Sequence, residues 1–163
     1  MTSIDFQILL EAMGSQCPVR PSARIEDAVD IEIDGTLVSA QWVDDAGLIE
    51  LTVDLPVVLE DADHPAVLLS LFRALLERQW LETGGDQGVS FGLMPSSNEV
   101  VGMVALSGEA ITGPDSLLAA LQQATVSVLG EWYGLCGQIL LLQQGATPAE
   151  RPALLPSSPY VSV

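Results

Sequence analysis

The sequence predicts an α+β fold in the order helix, three-stranded antiparallel meander, helix, two strands and long C-terminal helix. Three observations support it: apolar residues alternate with acidic ones from residue 29, Asp34-Gly35 is a strong hairpin signal, and three other segments show helical spacing. Of the 163 residues, 48% are apolar and 17% are charged, which suits one globular core. We therefore predict one domain over residues 1–145 and a flexible proline-containing tail over 146–163.

The first helix is predicted to occupy about residues 3–13. Thr2 or Ser3 is available as its N-cap, and Gly14 ends it. Residues 15–24 contain two prolines and no period, so they are predicted to be a connector. The apolar positions taken to define the helix are Ile4, Ile8, Leu9, Ala12 and Met13.

Two turns independently predict the register of the meander. A two-residue turn at Asp34-Gly35 and a second turn at 44–47 each bring apolar residues onto the same face. Because a slip of one residue would turn this whole set toward solvent, their agreement fixes the pairing. The predicted pairs are Ile33–Thr36, Ile31–Val38 and Val29–Ala40 across the first turn, and Trp42–Ile49, Ala40–Leu51 and Val38–Val53 across the second.

The second helix is predicted from Pro65 to about Leu81. Its apolar residues cover more of its surface than packing on one sheet requires, which predicts two packing partners. Gly84-Gly85 ends this helix, and two strands follow at about 88–94 and 99–106, joined by a turn.

The last helix is predicted over 114–143, with Pro114 near its first position. Gly130, Gly134 and Gly137 form a small-residue stripe on it together with Ser127. We interpret the stripe as close packing on the sheet or on a partner helix, in preference to a membrane dimerisation motif.

Charge excludes several classes of partner. The chain has 22 acidic and 5 basic residues, no lysine and a net charge of −17, so nucleic acid and anionic membranes are poor partners. Twelve acidic residues and no basic one lie between Arg24 and Arg73, which predicts a solvated acidic face that keeps an apolar binding protein soluble and attracts basic partners. The N-terminus lacks a basic signal region, and no apolar run long enough to span a membrane is free of polar residues. We therefore expect a cytoplasmic protein without membrane insertion.

Metal binding is not favoured by the acidic residues. Asp30 to Gly35 superficially opens like a calcium loop, but Gln41 stands where the bidentate carboxylate is needed. His64, which follows Asp61 and Asp63, is more simply a residue of a solvated loop at a helix start. We therefore expect no metal and no cofactor.

Catalytic motifs are also missing from the sequence. Cys17 and Cys136 are far apart, show no metal spacing or disulfide framework, and have no histidine nearby in sequence. No nucleophile elbow or phosphate loop occurs. The chain is accordingly predicted not to be an enzyme, although a carboxylate pair of an acidic hydrolase stays open as a third alternative.

Three runs in this order carry a family resemblance over residues 3–143. They are Phe6-Gln-Ile-Leu-Leu10-Glu-Ala-Met-Gly14, Ile31-Glu-Ile-Asp34-Gly35, and Leu75-Leu76-Glu77 through Gly84-Gly85 to Val89-Ser-Phe-Gly-Leu93. Together with the acidity, they resemble the class I type III secretion chaperones, the Tir-chaperone family, which are cytoplasmic bacterial proteins. The nearly uncharged last helix and the long tail depart from that family.

The resemblance implies a homodimer formed through the second helix and the following strand. It also implies that the N-terminal segment of one or more secreted effectors wraps around the dimer, fills apolar patches of the first helix and the sheet, and adds a strand at the sheet edge. The dimer residues would be Leu68, Phe72, Leu75, Leu76, Phe91 and Leu93. The effector-binding residues would be drawn from Phe6, Leu9, Leu10, Met13, Val29, Ile31, Val38 and Trp42, some of which belong to the core.

The function implied is that of a chaperone which keeps the effector segment non-globular and competent for export, with the secretion-apparatus ATPase as a further partner. A protein-binding adaptor of the same fold without a secretion role is the alternative. Under the dimer hypothesis, Leu75→Asp is expected to give monomers.

Overall fold

The described part of the chain contains ten segments of secondary structure. The computed structural model describes residues 2–14, 16–56, 69–76, 88–94 and 99–143. The elements are α1 (Ser3–Met13), β1 (Val19–Pro21), β2 (Val29–Ile33), β3 (Thr36–Val43), β4 (Leu48–Asp54), α2 (helical over 69–76), β5 (Ser90–Leu93), β6 (Val100–Ser107), a 3-10 turn (Gly108–Ala110) and α3 (Pro114–Gln143). The predicted α+β class and the order of its helices and of the five predicted strands are confirmed over these residues.

The sheet is antiparallel throughout and its strand order is β1-β2-β3-β4-β6-β5. One of its strands was not expected. Residues 15–24 were predicted to be a connector, but Val19–Pro21 pairs with β2. A strand of three residues that ends in proline is too short to show a period, which is why the prediction was wrong here.

The predicted register of the meander is confirmed at every pair. Ile31 lies opposite Val38, and Ala40 lies opposite Leu51. Asp34 and Gly35 both have left-handed φ angles, 48° and 79°, as a two-residue turn of this kind requires. The glycine that suggested a calcium loop is thus explained by the turn.

One face of the sheet is covered by α1 and α3, and the core lies between them. The backbone of α3 approaches β6 closely, since a Cβ placed on Gly102 would collide with Val128 Cγ1. The Trp132 ring lies 5.9 Å from the Phe91 ring, and Trp132 Nε1 donates a 2.9 Å hydrogen bond to the Pro56 carbonyl. These contacts hold α3 across the sheet as far as its edge strand β5.

The small-residue stripe of α3 does not pack on the sheet. The helix is continuous over its 30 residues. Cβ atoms built on Gly130, Gly134 and Gly137 would meet no described atom within 4 Å. The interpretation of sheet packing was therefore wrong, because the helix packs on the sheet through large side chains such as Leu121 and Val128, which are fully buried. The partner-helix alternative stays untested.

The outer face of the sheet is not the uniformly solvated surface that alternation predicted. Asp30 and Ser39 are buried, at 6% and 1% exposure. Ser39 Oγ donates to Asp30 Oδ1 at 2.6 Å and accepts from Arg24 Nη2 at 3.1 Å, and Arg24 Nη1 pairs with Asp54 Oδ1 at 2.6 Å. The loop that carries Arg24 covers this part of the face. Glu32 on β2 and Glu50 on β4 are exposed as predicted.

Some predictions fall outside the described residues. These are the second helix beyond 69–76, the turn at 95–98, Gly84-Gly85, His64 with its neighbouring aspartates, and the tail 146–163.

Candidate protein-binding site

Two exposed isoleucines form an apolar surface on α1. The helix starts with a capping box, in which Thr2 Oγ1 accepts from the Asp5 N–H at 3.2 Å and Asp5 Oδ2 accepts from the Thr2 N–H at 2.8 Å. Hydrogen bonds from Thr2 lower the pKa of the Asp5 carboxyl. Ile4 and Ile8, one turn apart, are 69% and 57% exposed. We call this pair the α1 patch.

The α1 patch was not among the predicted binding residues. Ile4 and Ile8 served only to define the helical spacing, whereas the predicted binding residues on α1 included Phe6, Leu10 and Met13, which are buried. The spacing of Ile4 and Ile8 was visible in the sequence. With apolar residues on two sides of one helix, however, periodicity alone does not show which side faces the core.

Most of the predicted effector-binding residues lie in the core. Five of the eight, Phe6, Leu10, Met13, Ile31 and Val38, are between 0% and 4% exposed. The other three, Leu9, Val29 and Trp42, are partly buried and pack against the same core. Trp42 lies with its ring 6.2 Å from that of Phe6, and its Nε1 donates to Asp44 Oδ1 at 2.6 Å. These side chains therefore belong to the core on which α1 packs.

The edge strand β1 adjoins α1. The two elements are in contact, and β1 is the first strand of the sheet, paired only with β2 within the described part of the chain. Cys17, between α1 and β1, is buried, and its Sγ donates a 2.9 Å hydrogen bond to the Glu32 carbonyl of β2. The helix that carries the α1 patch thus contacts an edge strand that another chain could extend.

A second apolar surface lies on α2 and β5. Leu69, Phe72 and Leu76 are 70%, 38% and 65% exposed, and Leu93 at the sheet edge is 47% exposed. The spacing of three and four residues places the helical ones on one side of α2, while Leu71 and Leu75 on its other side are buried in the core. We call these four exposed residues the α2 surface.

The structure divides the predicted dimer residues into two groups. Phe72, Leu76 and Leu93 are on the α2 surface, whereas Leu75 and Phe91 are 8% and 3% exposed and belong to the protomer core. Leu68 lies outside the described residues. An aspartate at Leu75 would remove a core side chain, so Leu75→Asp tests folding and not the interface.

The described residues offer little for catalysis. They contain no group of three or more metal-ligating side chains. Burial raises the pKa of the Cys17 thiol, and it raises that of Cys136 to about 11. Both thiols are protonated at neutral pH and therefore weak nucleophiles. Among the same residues, no helix has the length and apolarity needed to cross a lipid bilayer.

Comparison with known proteins finds a similarity to a solved structure but none in sequence. No family model and no curated protein matches the sequence. The chain is similar to a chain in the solved structure of the HopA1-SchA chaperone-effector complex, with 16% identical residues and a TM-score of 0.42. The similarity covers 78% of this chain and 88% of the other.

Proposed function

We propose that this chain is a type III secretion chaperone that binds the N-terminal segment of one or more secreted effector proteins in the bacterial cytoplasm. The observation that carries the proposal is the α1 patch on a helix that contacts the edge strand β1. An extended segment placed there would bury apolar side chains on Ile4 and Ile8 while its main chain pairs with β1. A segment bound in this way stays non-globular and competent for export.

The position of the α2 surface favours a role separate from that of the α1 patch. The α2 surface residue Leu93 lies on β5, at the sheet edge opposite β1, so a second copy bound around Leu93 would leave the α1 patch accessible. We propose that the α2 surface forms a homodimer, which explains why α2 has apolar side chains on both of its sides. Each dimer would then present two α1 patches to a single partner.

Charge favours the same class of partner. The net charge of −17 keeps copies of the chain apart at long range and attracts segments that carry lysine or arginine. Within α1 itself, Asp5 and Glu11 are exposed and no residue is basic. A partner segment that combines apolar and basic residues therefore suits the α1 patch. We also propose that the complex of chaperone and effector binds the secretion-apparatus ATPase.

Co-expression with candidate secreted proteins from the same genome tests the proposal. The wild-type chain is expected to elute from a sizing column with one effector per two protomers. Ile8→Asp places a charge in the α1 patch and is expected to weaken the complex at least tenfold, about 1.4 kcal/mol. Val126→Asp is the matched control, because Val126 is a similarly exposed apolar residue, at 66%, on α3.

Three results would count against this function. They are a wild-type chain that captures no secreted protein, equal effects of Ile8→Asp and Val126→Asp, and turnover of a substrate that is lost when one carboxylate pair is substituted. The last result would favour the acidic hydrolase. Capture of partners that are never secreted would favour the adaptor.

A further inference from the structure

The hydrogen-bonding direction of β1 follows from the pairing of its neighbours. In the two-residue hairpin, Ile33 and Thr36 close the turn as a hydrogen-bonded pair, so every second residue of β2 directs its main-chain groups toward β3. Asp30 and Glu32, at the alternate positions, direct theirs toward β1.

A second contact gives the same answer independently. The Ser22 N–H donates to the Ala28 carbonyl at 2.9 Å, and the register two residues away pairs Arg20 with Asp30. Both observations direct the N–H and carbonyl of Arg20 toward β2. Val19 and Pro21 consequently direct their main-chain groups away from the sheet, where no strand of the described chain lies.

The two prolines around β1 have different consequences. Extending the register by one residue would place Pro18 opposite Glu32, with its missing N–H on the side of β2. The Glu32 carbonyl accepts from Cys17 Sγ instead. Pro21 lacks an N–H on the outward side. The open edge over Val19–Pro21 therefore offers one donor, from Val19, and two acceptors, from Val19 and Pro21.

We infer that Pro21 limits pairing at the β1 edge and thereby opposes self-association of the chain through this edge. An added strand can exchange two hydrogen bonds only with Val19 and receives a third acceptor from Pro21. In any register, the partner carbonyl opposite Pro21 finds no donor. The same missing donor weakens pairing between the β1 edges of two copies.

Sedimentation of the full chain tests this inference. Pro21→Ala adds an outward N–H to β1. When the β1 edges of two copies pair symmetrically, this change adds two hydrogen bonds. The constant for association into species larger than those of the wild type is therefore expected to rise by roughly five- to thirtyfold. Pro18→Ala is the matched control and is expected to leave this constant unchanged. Pro21→Val, with higher strand propensity, should behave as Pro21→Ala does.

Equal association of the Pro18→Ala and Pro21→Ala variants, or none in either, would overturn the inference. Amide exchange of the wild-type chain tests its geometry without any variant. The Val19 amide is expected to exchange at least tenfold faster than the Arg20 amide, and the reverse order would overturn the inference as well. Both measurements use the chain alone, so failure to bind any secreted protein would count against the proposed function while leaving these results standing.

Discussion

Arg24 lies in the loop between β1 and β2 and connects three strands that follow it along the chain. Its guanidinium donates hydrogen bonds to Asp54 of β4 and Ser39 of β3, and the Ser39 hydroxyl donates to Asp30 of β2. The side chains of Arg24 and Asp54 are 21% and 37% exposed, so the ion pair alone contributes little to stability. Its main effect is to fix the path of the loop between β1 and β2, which places β1 at the sheet edge beside α1.

Two glycines differ in the space around them, so their replacement by alanine is expected to change the free energy of unfolding in opposite directions. Gly102→Ala is expected to lower the free energy of unfolding by roughly 1–3 kcal/mol, because the new methyl group collides with Val128. Gly130→Ala, on the open side of α3, is expected to raise it by up to about 1 kcal/mol, since alanine favours helix and no described atom lies in the way.

Denaturant unfolding of both variants measures these changes. A Gly102→Ala chain as stable as the wild type would mean that α3 does not lie against β6 as described. A destabilised Gly130→Ala chain would mean that the stripe is covered.

At the scale of elements, sequence reasoning succeeded where two independent signals agreed. The register around Asp34-Gly35 followed from turn chemistry and alternation together, and α3 followed from a long period that begins at Pro114. It failed for β1, which is too short to have a period, and for Asp30, whose burial depends on Arg24 reaching back from another segment. Local patterns contain no information about such distant contacts.

Choosing between two apolar sides of a helix was the other failure. On α1 the predicted binding residue Phe6 is buried, whereas Ile4 and Ile8, which were not predicted to bind a partner, are exposed. On α2 the sequence indicated an excess of apolar surface but did not separate Leu75, which faces the core, from Leu76, which faces solvent. Only the packing of each helix on the sheet distinguishes the two sides.

The α2 surface predicts a specific change in oligomeric state. Leu76 is 65% exposed, so Leu76→Asp is expected to leave the protomer folded and to convert the proposed dimer into monomers, because the buried charge would be unpaired in the interface. Light scattering on a sizing column measures the mass. Val126→Asp, at 66% exposure, serves as the control and is expected to stay dimeric. A dimeric Leu76→Asp chain with an unchanged dissociation constant would exclude α2 from the interface.

At the scale of the whole molecule, charge and apolar surface are arranged together. The described structure exposes large apolar side chains on α1 and on α2, on a chain whose net charge is −17. Exposed apolar surface makes a protein prone to associate, and like charge on every copy opposes this at long range. The same charge increases the association rate of a basic partner, and salt would screen that effect.

A partner segment is proposed to bind across the α1 patch and the β1 edge. Amide exchange of the chain with and without the N-terminal segment of a co-purifying secreted protein tests this proposal. We predict new protection at Val19 and along α1, with no change in the amides of α3 around Val126. Protection confined to α3, or an unprotected Val19 amide in a saturated complex, would contradict it.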